Sequence, residues 1–349
     1  MTINRTVFSP LHRLLIRSRH LLRFGLLAIL MGVLIVSCQG SPEQNLASQS
    51  PATETENCLV VEHDAGETQI CGKPEKIAVL APHMLDILLS LGIQPAGYAE
   101  QYTKGIGNPV TEIPVLGERV TSNPINLGLR DTPSLEAIVQ LKPDLILGEI
   151  YVNHLYSNLS AIAPTLLFRG HGDDWKQSIQ EIAQVFDREE RAQAVIKSHE
   201  QKLASVRAQL APVAETYPKI LLVDARKLPV SFDLRDNTNI SGGLIEELGF
   251  QVMLPSDDVI QRFNWVFSPE ILPQLDADII IAIALGDEIE NTKRNWNQNP
   301  LTQSLRATQE NRVYFVDYYV WGSNIRGPIA AEIIIDEAHQ LLSPLAESN

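Results

Sequence analysis

The sequence predicts an α/β chain of two lobes, each with a parallel-rich sheet wrapped by helices, joined by one long interlobe helix. Three observations carry that expectation. A short pattern occurs twice. Glu136 precedes Leu141, Asp144 and the apolar run Leu145-Ile146-Leu147, and 134 positions later Glu270 precedes Leu275, Asp278 and Ile279-Ile280-Ile281. Each copy reads as a short helix feeding a buried strand. Apolar strand-like runs alternate with helical stretches on both sides, which implies parallel sheets covered by helices. Between the copies, Trp175 to Leu210 holds 36 residues without proline or glycine. Two matched lobes imply a cleft, and hence a binder that closes on something rather than a one-pocket enzyme.

The elements follow in order. Residues 1–37 carry Arg5, Arg13, Arg17, Arg19 and Arg23, no acidic residue, and the apolar run Phe24 to Val36. That run is shorter than the roughly 20 residues a membrane-spanning helix needs. Basic flank and short apolar core read as a secretory signal. The end, Ile35-Val36-Ser37-Cys38, resembles a bacterial lipobox, which makes Cys38 the lipidated N-terminus of the mature chain. Residues 38–57 are polar and poor in apolar side chains, so they read as a flexible tether of roughly 25 Å end to end. Removing 1–37 takes five of 28 basic and none of 42 acidic residues, leaving a mature net charge of about −19. Such a surface disfavours nucleic acid, because phosphate contacts need a positive footprint.

Cys58 and Cys71 flank two short strand-like runs with Asp64-Ala65-Gly66-Glu67 as the turn. In an oxidising compartment a disulfide across that hairpin is expected, contributing about 3 kcal/mol by the loop-entropy argument. Ile77-Ala78-Val79-Leu80 is a buried strand, Met84 to Ser90 a helix stopped at Gly92, and Ala96-Gly97-Tyr98 the next strand. Thr132-Pro133 and Ser268-Pro269 are the helix-start signals of the two repeat copies, since a hydroxyl accepts an orphan amide and proline fits the first turn. Trp175 to Leu210 is one long helix, or two with a break near Asp187. Ile220-Leu221-Leu222-Val223 restarts the strands, Gly242 to Leu248 is a helix capped by Gly249, and Ile279–Ala284 and Val313–Val316 are strands. Ile329 to Leu342 closes the chain as a helix. The expected organisation is therefore 1–37 signal peptide, 38–57 lipidated cysteine and tether, 58–172 N-terminal lobe, 173–212 interlobe helix and 213–349 C-terminal lobe.

The segments Pro74–Leu80, Leu91–Pro95, Leu135–Ile138, Leu141–Ile146 and Trp321–Ala330, in that order and spacing, carry a family resemblance. From Cys58 to Leu342 the chain resembles the ferric-siderophore, ferric-dicitrate and cobalamin-type substrate-binding lipoproteins of bacterial ABC importers. The resemblance implies two α/β lobes on one long helix with little hinge closure, ligand between the lobes, and docking on a permease dimer. It implies a monomer held by its lipid at the periplasmic face of a bacterial membrane, without cofactor or catalysis. It makes Glu136 and Glu270 docking groups for permease arginines, on the outer face of each lobe and away from the cleft. A carboxylate near a helix start also complements the helix dipole, worth about 0.3–1 kcal/mol. Relatives often carry Glu where this chain has Asp86, so no ligand role is carried onto Asp86.

Ligands of open α/β sheets sit at the carboxyl ends of the strands. The loops there offer Tyr98, Tyr151 and Arg169 in the first lobe and Arg226, Arg235, Trp265, Trp321 and Arg326 in the second. Planar guanidinium forks match the oxygens of an anionic ferric chelate, and aromatic side chains give rigid walls. His83, His154 and His171 have no metal-ligand spacing, and surface or capping roles are expected of them; no metal site is assigned. Alternative ligands are cobalamin, haem, for which Tyr318-Tyr319 offers phenolates, or a bare metal ion. A two-lobed nitrogenase-like enzyme needs cluster-binding cysteines, and none follows Cys71. No nucleophile elbow, phosphate loop or zinc motif is present.

Overall fold

The computed structural model describes residues 58–100, 113–169, 175–263 and 265–347. The signal peptide, Cys38, the tether, Gln101, Tyr102 and His171 lie outside the described residues.

The chain opens with a hairpin of β1 (Cys58–His63) and β2 (Gly66–Cys71). Cys58 sits opposite Cys71 with a Cα–Cα distance of 4.1 Å, and the two are disulfide-bonded. The first sheet comprises β3 (Ile77–Val79), β4 (Gly97–Glu100), β5 (Ile125–Leu129), β6 (Thr132–Pro133), β7 (Leu145–Glu149) and β8 (Thr165–Phe168), in the order β6-β5-β4-β3-β7-β8. All its pairings are parallel except β5 with β6. The second comprises β9 (Lys219–Asp224), β10 (Phe232–Leu234), β11 (Gln251–Val252), β12 (Val266–Phe267), β13 (Ile279–Ala284) and β14 (Val313–Asp317). Its order is β12-β10-β9-β13-β14, with β11 also paired to β9. Here β9, β11, β13 and β14 pair in parallel, while β10 pairs antiparallel with both β9 and β12. Every residue of β7 and β13 is buried, which is why both read as continuous apolar runs: helices cover both faces. Gly97 opens β4 because a Cβ there would come within 2.8 Å of Leu141 and 2.9 Å of Leu127.

Helix α1 (Pro82–Ser90) follows β3 with proline in its first turn. In α2 (Leu135–Leu141) the cap is Ser134, whose hydroxyl accepts from the Ala137 amide at 3.2 Å. The expected start at Thr132-Pro133 is thus displaced: those two residues form β6. The second copy departs further. Pro269–Gln274 is a 3₁₀ turn with Pro273 inside it, and Ser268 makes no side-chain cap bond. Proline removes the amide that an α-helical bond needs, so the repeat is kept in position but not in helix type. The long helical region divides into α3 (Trp175–Val185) and α4 (Glu189–Thr216), with Asp187 at φ 52° between them. Helix α4 runs through Pro212 to Thr216, past the expected boundary at 212. In the second lobe α5 (Ile240–Glu247) precedes Gly249, at φ 104°.

The long C-terminal helix, α6 (Pro328–Leu342), packs on α1, α4 and α5. One continuous apolar core accordingly runs from Val79 and Leu147 in the first sheet, through α1, α3, α4 and α6, to Ile220 and Ile281 in the second. Smaller clusters close the far face of each sheet, around Leu80 and Ile146 in one and Leu221 and Phe267 in the other. Helix α6 thus also packs on the first lobe, through α1.

Candidate functional site

The carboxyl ends of the central strands carry two clusters of similar design. In the first lobe, β7 ends at Glu149, only 1% exposed. Its Oε1 lies 2.6 Å from His83 Nδ1, at the start of α1, and accepts from Arg326 Nη2 at 2.7 Å. Arg130, directly after β5, holds Nη1 at 3.6 Å from Glu149 Oε2. It also donates from Nε to Asp131 at 3.0 Å, and its guanidinium lies over the Tyr151 ring at 5.0 Å. Arg326 Nη1 donates to the Ser323 carbonyl at 3.2 Å. Three segments distant in sequence thus converge on one carboxylate.

Burial alone raises the Glu149 carboxyl, but Arg326, His83 and Arg130 outweigh it and hold the group down at about 2. Burial pushes His83 below its usual value; Glu149 opposes that shift, and Arg326 and Arg130 reinforce it. An ionised Glu149 only accepts hydrogen bonds. A neutral His83 therefore keeps its proton on Nδ1 and leaves Nε2 as a bare acceptor.

In the second lobe, β9 ends at Asp224, 2% exposed. It accepts from Arg226 through Nε at 2.9 Å and Nη2 at 2.8 Å, and from Arg235 Nη2 at 2.8 Å. Arg226 lies over the Tyr318 ring at 3.4 Å. Arg235 shares a surface cavity with Trp265 and Asn239. At each of these strand ends, then, a buried acid faces two arginines, and one of the two rests on a tyrosine.

The residues expected to line the cleft separate on this basis. Arg226 and Arg235 share one acid, and Arg326 reaches the other cluster. Tyr151, 49% exposed, and Trp265, 38% exposed, offer surface. Tyr98 and Trp321 do not: both are fully buried. The Tyr98 hydroxyl donates to Glu100 at 2.7 Å, and the Trp321 Nε1–H donates to Glu337 of α6 at 2.6 Å. Arg169 pairs instead with Asp64 in the hairpin turn, at 2.9 Å. His83, expected at a surface or cap, is wholly buried in the Glu149 cluster, whereas His154 is exposed. Asp86 is turned to structure: it accepts from the Ile329 and Ala330 amides at 2.9 and 3.0 Å. Glu136 and Glu270 are both exposed. Glu270 lines a surface cavity with Pro229, Asn295 and Asn299. Among the described residues no group of three or more His, Cys, Asp or Glu is placed to hold a metal ion. Another cavity, by Cys58, Lys73 and Asp187, gathers no comparable convergence of arginines.

Arg130 and the role of Glu149 escape a reading of the sequence. Arg130 is followed by Asp131 and looks like a local surface pair. Only the pairing of β4 with β5 and of β3 with β7 brings their strand ends together.

The family described as periplasmic binding protein matches residues 77–320. Among curated proteins, Fe(3+)-citrate-binding protein YfmC of Bacillus subtilis is 28% identical over 309 residues, covering 87% of this chain and 91% of that one. The Fe(3+) dicitrate-binding periplasmic protein FecB of Escherichia coli is 27% identical over 280 residues, covering 78% and 87%. The fold superposes on Staphylococcus aureus SirA complexed with staphyloferrin B with a TM-score of 0.65 at 24% identity, covering 81% of this chain and 98% of that one. With a family match over most of its length and a two-lobed architecture in agreement, the chain belongs to the periplasmic binding protein family.

Proposed function

We propose that this chain captures an anionic ferric chelate, of siderophore or citrate type, between its lobes and delivers it to an ABC permease. The observation that carries this reading is the pair of arginine clusters, Arg130 with Arg326 on Glu149 and Arg226 with Arg235 on Asp224. Guanidinium forks match carboxylate and other chelate oxygens in two-point geometry. Their buried acids fix them before ligand arrives, so less side-chain entropy is lost on binding. The full chain carries a net charge of −14, so these four clustered arginines are a local exception to its acidic balance. Relatives named for ferric citrate and for siderophores support the ligand class. The protein is read as a binder and not an enzyme: the clusters fix charge and offer no nucleophile beside a base.

Other parts of the reading belong to the same proposal. Lipid on Cys38 anchors a monomer at the periplasmic face of the membrane, through the tether 38–57. Glu136 and Glu270, one exposed carboxylate on each lobe, meet arginines of a permease dimer. The test is a tryptophan-fluorescence titration of the mature domain with ferric dicitrate, ferric siderophores, cobalamin and haem. Saturable quenching by an anionic ferric chelate supports the reading. Saturation by cobalamin or haem alone overturns it.

A further inference from the structure

We propose that Glu149 is the positioning residue of the ligand site, setting Arg326 and Arg130 for the chelate with His83 as its brace. The inference rests on the ferric-chelate reading above. Arg326 precedes α6, while Glu149 ends β7, 177 positions earlier. No other acidic side chain is within salt-bridge distance of Arg326 among the described residues. Its Nη1 donates to the Ser323 carbonyl, close by in the same segment, and its Nη2 also lies 3.5 Å from His83 Nδ1. Glu149 is therefore what fixes the guanidinium relative to the first lobe. His83 meets the same oxygen, Oε1, at 2.6 Å, so the carboxylate cannot rotate without losing two bonds at once.

Three buried atoms of the cluster are left without a partner. Glu149 Oε2, His83 Nε2 and Arg326 Nε are all buried and have no hydrogen-bond partner among the described residues. Arg130 Nη1, 3.6 Å from Oε2, is too far for a hydrogen bond and close enough to be drawn by the charge. One oxygen of Glu149 thus braces and the other attracts. The charged groups facing His83 are Glu149 from β7, Arg326 from the segment before α6 and Arg130 after β5. On α1 itself Asp86 is engaged with the α6 amides. An anion docked on Arg326 and Arg130 offsets the two charges that oppose protonation of His83. Burial, the larger cause of the lowered His83 value, is unchanged, so binding favours protonation of His83 Nε2 only in part, and affinity rises as pH falls below the usual histidine range.

The test titrates ferric dicitrate into the wild-type mature domain and into Glu149→Gln and His83→Asn, by calorimetry in buffers of different ionisation enthalpy. Wild type should take up part of a proton on binding. Glu149→Gln keeps the shape but not the charge, and should weaken binding about ten- to a hundred-fold, the scale of a lost charged hydrogen bond. His83→Asn removes the titrating ring from the cluster; it should abolish the proton uptake with a smaller loss of affinity. This second variant also serves if Glu149→Gln does not fold. A folded Glu149→Gln with wild-type affinity sinks the positioning role; His83→Asn with wild-type affinity and wild-type proton uptake sinks the bracing by His83 and, if Glu149→Gln does not fold, the proposal with it. If the wild type binds neither ferric dicitrate nor any ferric siderophore, the ligand reading falls, and the role of Glu149 with it.

Discussion

Asp86 Oδ2 accepts the amide of Ala330 at 3.0 Å, although 244 positions separate the two residues. The other oxygen, Oδ1, takes the Ile329 amide at 2.9 Å. The first turn of α6 is thereby capped by a side chain from α1, and two orphan donors are satisfied. The approach is close: a Cβ on Gly327 would lie 2.3 Å from the Asp86 carboxyl carbon.

This cap gives stability a pH dependence of definite sign. Burial raises the Asp86 carboxyl from 3.8 to about 6, against the pull of the Ile329 and Ala330 amides. A raised folded value means the native state binds the proton more tightly, so the contribution is full below about 4 and lost as pH rises through 6. Two units correspond to at most about 3 kcal/mol. Glu149 works in the opposite sense, but its contribution is lost only as pH falls through about 2. Thermal melts of wild type and Asp86→Asn between pH 4 and 7 should therefore converge or cross as pH rises. A difference independent of pH removes the claim.

Asp224 should matter more than either of its arginines. Arg226→Ala or Arg235→Ala leaves the acid one partner, and each should weaken an anionic ferric chelate about ten- to a hundred-fold. Asp224→Asn leaves two mostly buried guanidinium groups without their charge partner. Breaking such a buried pair costs about 3–5 kcal/mol, and somewhat less here because the arginines keep some solvent. Denaturant unfolding together with chelate titration checks both effects. Wild-type stability and affinity in Asp224→Asn would show that the acid organises nothing.

The proposed docking role of Glu136 and Glu270 predicts a separation of uptake from binding. Glu136→Ala combined with Glu270→Ala should abolish transport in cells while leaving chelate affinity and melting temperature close to wild type. Both side chains are exposed, so no buried partner is lost in the isolated domain. A role confined to the helix dipole gives the opposite pattern, a small loss of stability with normal transport. Radiolabelled iron uptake at matched protein levels separates the two.

Anchoring is checked by fractionation. Cys38→Ser should move the protein from the membrane to the soluble fraction, since the polar residues 39–57 alone carry no affinity for lipid. Membrane retention with the signal uncleaved would favour a helical anchor.

The sequence makes the parallel strands legible because both of their faces are buried. Leu145–Leu147 and Ile279–Ile283 have no polar face to hide their register. The antiparallel strands β10 and β12 escape, being two or three residues long and defined by pairing Phe232 with Phe267. Helix type in the second repeat copy escapes because Pro273 matters only once the turn is known to continue through it. Of the site, arginines beside strand ends are visible, since carboxyl-end loops are the expected place for a ligand. Which acid holds them is not visible. Asp224 lies two positions from Arg226 and could have been paired by proximity, but Glu149 and Arg326 meet only through the packing of α6 on α1. Trp321 shows the limit from the other side: a tryptophan at a strand end looks like a wall of the cleft until α6 covers it.

The bridging position of α6 sets the order in which the protein can be completed. A chain grows from its N-terminus, and by Phe168 the strands β3 to β8 have all been made. Helix α1 still lacks the helix that seals it, and the Asp86 carboxylate still lacks both amides that it accepts. The first half of the molecule therefore cannot reach its final packing until the last segment has been synthesised. An unfinished chain stays loose, the state in which a polypeptide can be threaded through a narrow channel. A fragment ending at Thr216 should accordingly bind an apolar-surface dye and be cut rapidly by protease.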